Sequence, residues 1–181
     1  MLRGHGGRAE LVASFVLVLG LVLWGRARCL RCNYISDTIP MLPYPGVVLV
    51  AVLGAALFYR GMVRGAPRHA RAPAFRAAVG FIAACLALTL IVTLPMSQQV
   101  HVTCSFLAFG GLLVLLTWDA WTRRNESGGD GGRAALAALW LLLLAQLACY
   151  AGGHRRAGPC AQALLILGLW LYVALAWCGG A

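Results

Sequence analysis

The run Leu11-Val-Ala-Ser-Phe-Val-Leu-Val-Leu-Gly-Leu-Val-Leu-Trp24 decides the fold, because it is the first of six long, predominantly apolar stretches. The others are Tyr44–Tyr59, Ala74–Pro95, Val100–Trp121, Ala134–Tyr150 and Gly158–Cys178. A helix needs roughly 20 residues to cross the hydrocarbon core of a bilayer, and these five have about 16 to 22. Since backbone groups in lipid must bond within the segment, each run is predicted to be helical.

We therefore predict an all-α, polytopic membrane protein with six transmembrane helices in one bundle. The whole chain, residues 1–181, is expected to form this single domain. The predicted helices cover approximately residues 10–25, 44–60, 74–95, 100–122, 134–151 and 158–178.

The composition supports a membrane environment. The chain is 61% hydrophobic and only 11% charged, whereas a soluble domain has about 25% charged residues. The first run ends at Trp24, and three arginines follow it. Because no small-x-small cleavage site follows the run, we expect a retained helix rather than a signal peptide.

The charge pattern predicts the orientation. The net charge is +10, and every cationic residue is an arginine. Ten arginines fall in the N-terminus and the second and fourth connectors, against five on the other side. Because cytosolic segments are rich in arginine, we expect both termini in the cytosol. Because the arginines lie in short connectors between apolar runs, the positive charge is explained by topology and does not indicate nucleic-acid binding.

The first loop, Cys29–Pro40, contains the pair Cys29 and Cys32. On the predicted extracytosolic side a disulfide is favoured, either between these two or with Cys160. Free or lipidated thiols and metal or redox chemistry are the alternatives. A zinc site would need a second pair or histidines at ligand spacing, so no metal, no cofactor and no catalytic residue is expected.

The same loop carries the string Tyr34-Ile35-Ser36-Asp37-Thr38. Ile91-Val92 lies near the end of the third run, His101 opens the fourth, and Phe109 follows eight residues later. With these elements in this order, the chain resembles the damage-regulated autophagy modulator (DRAM) family and its Frag-type relatives. These are six-span proteins with that string in their first extracytosolic loop.

The resemblance implies a non-enzymatic membrane regulator that acts in autophagy and lysosomal function or in membrane lipid organisation. It implies a lysosomal, Golgi or plasma membrane location. Membrane lipids are the expected partners, together with proteins at the cytosolic connectors. Tyr34, Ser36, Asp37 and His101 would form a shared extracytosolic cluster.

Asp37 and His101 are expected to pair at the extracytosolic rim, which would favour the charged imidazole. The alternative is that both are solvated loop residues. The alternative function is a membrane enzyme or transporter acting on a lipid through Ser36, Asp37 and His101. An enzyme or carrier needs a polar pocket that reaches into the bundle, whereas a scaffold can be packed solid.

Overall fold

The structure is a computed structural model that describes residues 3–28, 42–65, 72–92, 96–122, 130–152 and 157–173. The helices are α1 (Arg3–Arg28), α2 (Tyr44–Gly65), α3 (Pro73–Ile91), α4 (Gln98–Thr122), α5 (Asp130–Ala151) and α6 (Ala157–Tyr172). No strand occurs in these ranges, so the predicted all-helical fold is confirmed for the part of the chain described.

Five of the helices are long and apolar enough to cross a membrane. The spans are Gly7–Gly25, Tyr44–Gly65, Pro73–Ile91, Gln98–Trp121 and Gly132–Ala151. In α6 the apolar segment that the structure describes, Ala161–Tyr172, is shorter. Five helices of this kind make the chain a helical integral membrane protein.

The first two helices extend beyond the predicted bounds. α1 begins at Arg3 rather than near residue 10, and α2 continues to Gly65 rather than ending near residue 60. The added turns pack against each other: a Cβ atom added at Gly7 would lie 2.8 Å from the backbone nitrogen of Gly65. Contact between the helices thus supports turns that are too polar to be predicted from hydropathy.

The third helix ends before the predicted residue 95. Pro73 stands in the first turn of α3, where its fixed φ angle fits and its missing N–H costs no helical bond. At the other end, Val92 has extended backbone angles (φ −91°, ψ 96°), although its N–H still donates to the Leu88 carbonyl oxygen at 2.8 Å. Thr93–Pro95 lies outside the described residues.

Helices adjacent in sequence pack against each other. The contact is most extensive between α1 and α2 and least extensive between α4 and α5. The main core joins residues from every helix: Leu11, Phe58, Met62, Phe75, Val79, Ile82, Ala83, Leu112, Leu113, Leu116, Leu136, Leu139, Leu143, Leu165, Leu169 and Val173.

One end of the bundle is defined by side-chain contacts between helix termini. His101 in the first turn of α4 bonds to Val92 after α3. Gln98 of α4 donates to the hydroxyl of Tyr150 at the end of α5, at 2.8 Å. Five residues separate the end of α5 at Ala151 from the start of α6 at Ala157, so α4 and α6 both start here. We call this the His101 end.

α1 and α2 meet along a seam of small residues. A Cβ at Gly61 would lie 2.6 Å from Leu11 Cγ and 2.9 Å from the Gly7 carbonyl oxygen. Further along the same seam, the buried hydroxyl of Ser14 donates to the carbonyl oxygen of Gly54 at 2.7 Å. Small residues allow two membrane helices to approach this closely, and packing then supplies much of their association energy.

An ion-pair cluster joins the same two helices at the opposite end from His101. Glu10 Oε1 lies 2.6 Å from Arg64 Nη1 and 3.3 Å from Arg60 Nε. Both arginines are more than half exposed, so we assign the cluster a modest stabilising role. Its geometric effect is to hold α1 in register with α2 beside the glycine contacts.

Candidate functional site

A cavity of about 310 Å³ lies inside the bundle, lined by α1, α2, α3, α4 and α6. Its volume is at the lower end of the range for small-molecule sites, about 300–1,000 Å³. Among the described residues no charged side chain lines it. The cavity exists because three of these helices present small residues to it: Ala51, Gly54, Ala55, Ala87 and Ala163.

The cavity extends along the bundle axis from the His101 end. On α4 both His101 and Phe109 line it, and on α6 both Gln162 and Trp170 do. The residues of each pair are eight positions apart, which corresponds to about 12 Å along a helix. Since both helices start at the His101 end, the cavity has polar groups near that end and aromatic rings deeper in the bundle. A lipid has the same division between a polar end and an apolar body.

Aromatic contacts surround the deep part of the cavity. The ring centroid of Trp170 lies 5.3 Å from that of Phe15 on α1 and 5.7 Å from that of Phe58 on α2. The Phe58 contact is edge-to-face, with an interplanar angle of 80°, a favourable arrangement for aromatic pairs. Trp170 thereby joins α6 to the first two helices.

His101 is buried, with 5% of its surface exposed, and one ring nitrogen is already occupied. Nδ1 lies 2.7 Å from the carbonyl oxygen of Val92. Because a carbonyl oxygen only accepts hydrogen bonds, Nδ1 carries the proton and donates. In the neutral ring Nε2 then has a free lone pair and acts as an acceptor.

Gln162 is the second buried polar group on the cavity wall, with 9% of its surface exposed. Its Oε1 atom is shielded and accepts no hydrogen bond from the described residues. A buried polar atom without a partner costs about 1–3 kcal/mol, and few exist in native structures. Because Oε1 is shielded, the amide bonds to something that enters the cavity only after its soft terminal torsion turns it towards that space.

The other two polar side chains on the wall use their hydroxyl hydrogens within the protein. Ser14 donates to the Gly54 carbonyl oxygen at 2.7 Å, and Thr89 donates to the Cys85 carbonyl oxygen at 2.8 Å. Both line the cavity, but neither hydroxyl hydrogen is left to bond to an occupant. At the polar end, the hydrogen-bonding capacity left for an occupant is thus concentrated on His101 and Gln162, while the indole N–H of Trp170 belongs to the deep end.

The cavity is not fully enclosed. Leu19 of α1 and Leu167 of α6 line it, and 39% and 47% of their surfaces are exposed. The exposed residue Ala163 lies on the same wall. Because α1 and α6 pack far less extensively than neighbours in sequence do, we infer that the cavity opens between them.

Two residues of the predicted motif cluster, His101 and Phe109, line this cavity together. The other motif residues and the two loop cysteines lie outside the described residues: Tyr34, Ile35, Ser36, Asp37, Thr38, Cys29 and Cys32. Cys160 falls in the first turn of α6, but its side chain is also outside the described part. The disulfide and the Asp37–His101 pairing therefore stay predictions.

Residues that sequence reasoning did not assign to a site also contribute. Gln162 lines the cavity, and its carbonyl oxygen has no partner among the described residues. Glu10 was not singled out, yet it joins α1 to α2. Arg60 and Arg64 lie one helical turn apart on α2, and this pair of like charges is the sequence feature that could have indicated an acidic partner.

In the ranges described, no group of three or more histidine, cysteine, aspartate or glutamate residues is placed to hold a metal ion. Comparisons with protein-family models, with curated proteins and with solved structures found no match.

Proposed function

We propose that this chain is a non-enzymatic, multi-pass membrane regulator of the DRAM or Frag type, which acts on membrane lipid organisation by holding a lipid inside its bundle. The observation that carries the proposal is the apolar cavity with polar groups near one end and aromatic rings deeper in the bundle. The position of His101 and Phe109 on its wall agrees with the resemblance, because both belong to the motif residues.

The proposal includes six spans with both termini in the cytosol. The apolar sequence of α6 continues to Cys178, which makes the sixth run long enough to cross. The arginines at the N-terminus and in the second and fourth connectors favour this orientation. The His101 end would then face the lumen or the cell exterior, and the Glu10–Arg64 cluster would face the cytosol.

A glycosylation experiment tests the orientation. The natural acceptor Asn125-Glu126-Ser127 is expected to stay unmodified, since the fourth connector is cytosolic in this topology. An acceptor introduced into the first loop, between Cys32 and Pro40, is expected to receive a glycan. Mass shifts on an immunoblot, with and without glycosidase, measure both. Glycan on Asn125 and none on the loop acceptor would reverse the topology.

The cellular setting is the second part of the proposal: an endomembrane of the lysosome or Golgi, or the plasma membrane, with a role in autophagy or lipid distribution. Imaging a tagged chain beside organelle markers determines the membrane. Residence in mitochondria or peroxisomes would contradict this part and leave the cavity argument intact.

A lipid-active enzyme or transporter is the second candidate, and His101 on the cavity wall is the observation that favours it. A turnover assay separates the two. Purified chain in liposomes is incubated with isotope-labelled phospholipid, sphingolipid and sterol, and the lipids are analysed by mass spectrometry. The regulator leaves every lipid chemically unchanged. A product that forms with the wild type and is lost in His101→Ala would establish the enzyme instead.

A further inference from the structure

We infer that the cavity is a sterol site, in which the sterol hydroxyl bonds to Gln162 and His101 and the ring system lies against the aromatic side chains. The inference rests on the proposed lipid-holding function and names the class of lipid.

The charge of the wall selects an uncharged occupant. No arginine, lysine, aspartate or glutamate of the described residues lines the cavity. A phosphate or carboxylate inside it would lack the charged partner that a buried anion requires. Phospholipids and ionised fatty acids are therefore poor candidates for the interior, although their chains surround the bundle.

The hydrogen-bonding groups at the polar end select a hydroxyl. With Nδ1 bound to Val92, His101 leaves Nε2 for an occupant, as an acceptor in the neutral ring and as a donor in the charged one. The Gln162 carbonyl oxygen is a second acceptor that the described residues leave unused. The terminal torsion of a glutamine is soft, so its amide can turn either polar atom towards an occupant. A hydroxyl donates one hydrogen bond and accepts others, which satisfies this pair.

Few polar groups on the wall remain without a hydrogen bond, and this favours a lipid with a single polar group. Ser14 and Thr89 already donate to backbone carbonyl oxygens, so the wall has no hydroxyl hydrogen left for ester or amide carbonyls. Diacylglycerol and ceramide carry such carbonyls together with hydroxyls, which are more polar groups than the amide of Gln162 and the ring of His101 can satisfy. A sterol has one hydroxyl and an otherwise apolar body.

The shape of the deeper cavity suits a rigid ring system. About 12 Å separate the levels of His101 and Phe109 along α4. Phe15, Phe58 and Trp170 form the aromatic wall at the deep end. The opening beside Leu19 and Leu167 allows a sterol to enter sideways from the bilayer.

The test uses the full chain in phosphatidylcholine nanodiscs with a photoactivatable sterol that carries a diazirine. Unlabelled cholesterol is expected to compete with the probe, whereas cholesterol methyl ether, which lacks the donor hydrogen, competes about five- to tenfold less well. Diacylglycerol and ceramide, added in separate arms, are expected to compete weakly.

The variant Gln162→Met keeps the length of the side chain and removes its amide. It is expected to weaken competition by cholesterol about five- to tenfold and to reduce the difference between cholesterol and its methyl ether, because His101 remains as a partner for the hydroxyl. Gln146→Met is the matched control, because Gln146 on α5 also has an unpartnered Oε1 but does not line the cavity. Thermal unfolding without sterol checks that both variants fold.

Equal competition by cholesterol and its methyl ether in the wild type overturns the sterol assignment, as does an equal effect of the two glutamine variants. Stronger competition by diacylglycerol or ceramide transfers the site to that lipid and leaves the lipid-holding function standing. If no lipid probe labels the cavity wall, the proposed function fails together with the sterol assignment.

Discussion

Gly61→Leu is expected to destabilise the bundle by about 3 kcal/mol, the upper part of the usual range for overpacking. Even a single methyl group at this position would meet Leu11 Cγ at 2.6 Å and the Gly7 carbonyl oxygen at 2.9 Å. The Gly7 oxygen belongs to the backbone of α1, so rotation of side chains cannot relieve the overlap. α1 must move away from α2, which lengthens the Ser14–Gly54 hydrogen bond and opens one wall of the cavity.

Thermal unfolding in detergent, followed by circular dichroism, measures this effect. The midpoint is expected to fall by roughly 6–12 °C for a chain of this size. Gly20→Leu is the matched control in α1, because a Cβ at Gly20 meets nothing within 4 Å. An equal midpoint for the two variants would show that α1 and α2 do not pack through this seam.

Ala87→Phe is expected to abolish lipid binding in the cavity while the chain remains folded. Ala87 of α3 is half-buried and lines the cavity, so a benzyl group there would occupy space that the lipid needs. We expect a loss of about tenfold or more in labelling by a photoactivatable lipid probe, since that corresponds to only about 1.4 kcal/mol of binding free energy.

Ala84→Phe is the control for this variant. Ala84 lies three residues earlier on the same helix, is exposed, and does not line the cavity. A phenylalanine there faces outwards and is expected to leave labelling unchanged. Equal loss in both variants would mean that the probe reports the outer surface of α3 and not the cavity.

The helices were predictable because hydropathy is a local property of the sequence. The runs that begin at Tyr44 and Ala74 begin within one residue of α2 and α3. The polar turns were not predictable in this way. Gly7 lies in such a turn of α1, where it packs against Gly61 and Gly65 of α2, and that contact appears only when the two helices are placed side by side.

The cavity was not predictable from the sequence, because it depends on small residues from separate helices facing one space. Gly54, Ala87 and Ala163 are unremarkable in their own segments, where small residues serve for packing. His101 was singled out for a pairing with Asp37, which lies outside the described residues, and the contact seen within them is to Val92. Gln162 acquires meaning only from its place beside the same cavity.

The most direct test of the account identifies where a lipid probe reacts. The chain in native-lipid nanodiscs is exposed to photoactivatable sterol and phosphatidylcholine probes, illuminated, digested and sequenced by mass spectrometry. The account predicts that the sterol labels residues on the inner wall, such as Phe58, Ile166 and Trp170. Labelling confined to outward-facing residues such as Leu49, Leu141 and Leu144, unchanged by Ala87→Phe, would contradict the claim that this bundle holds a lipid in its interior.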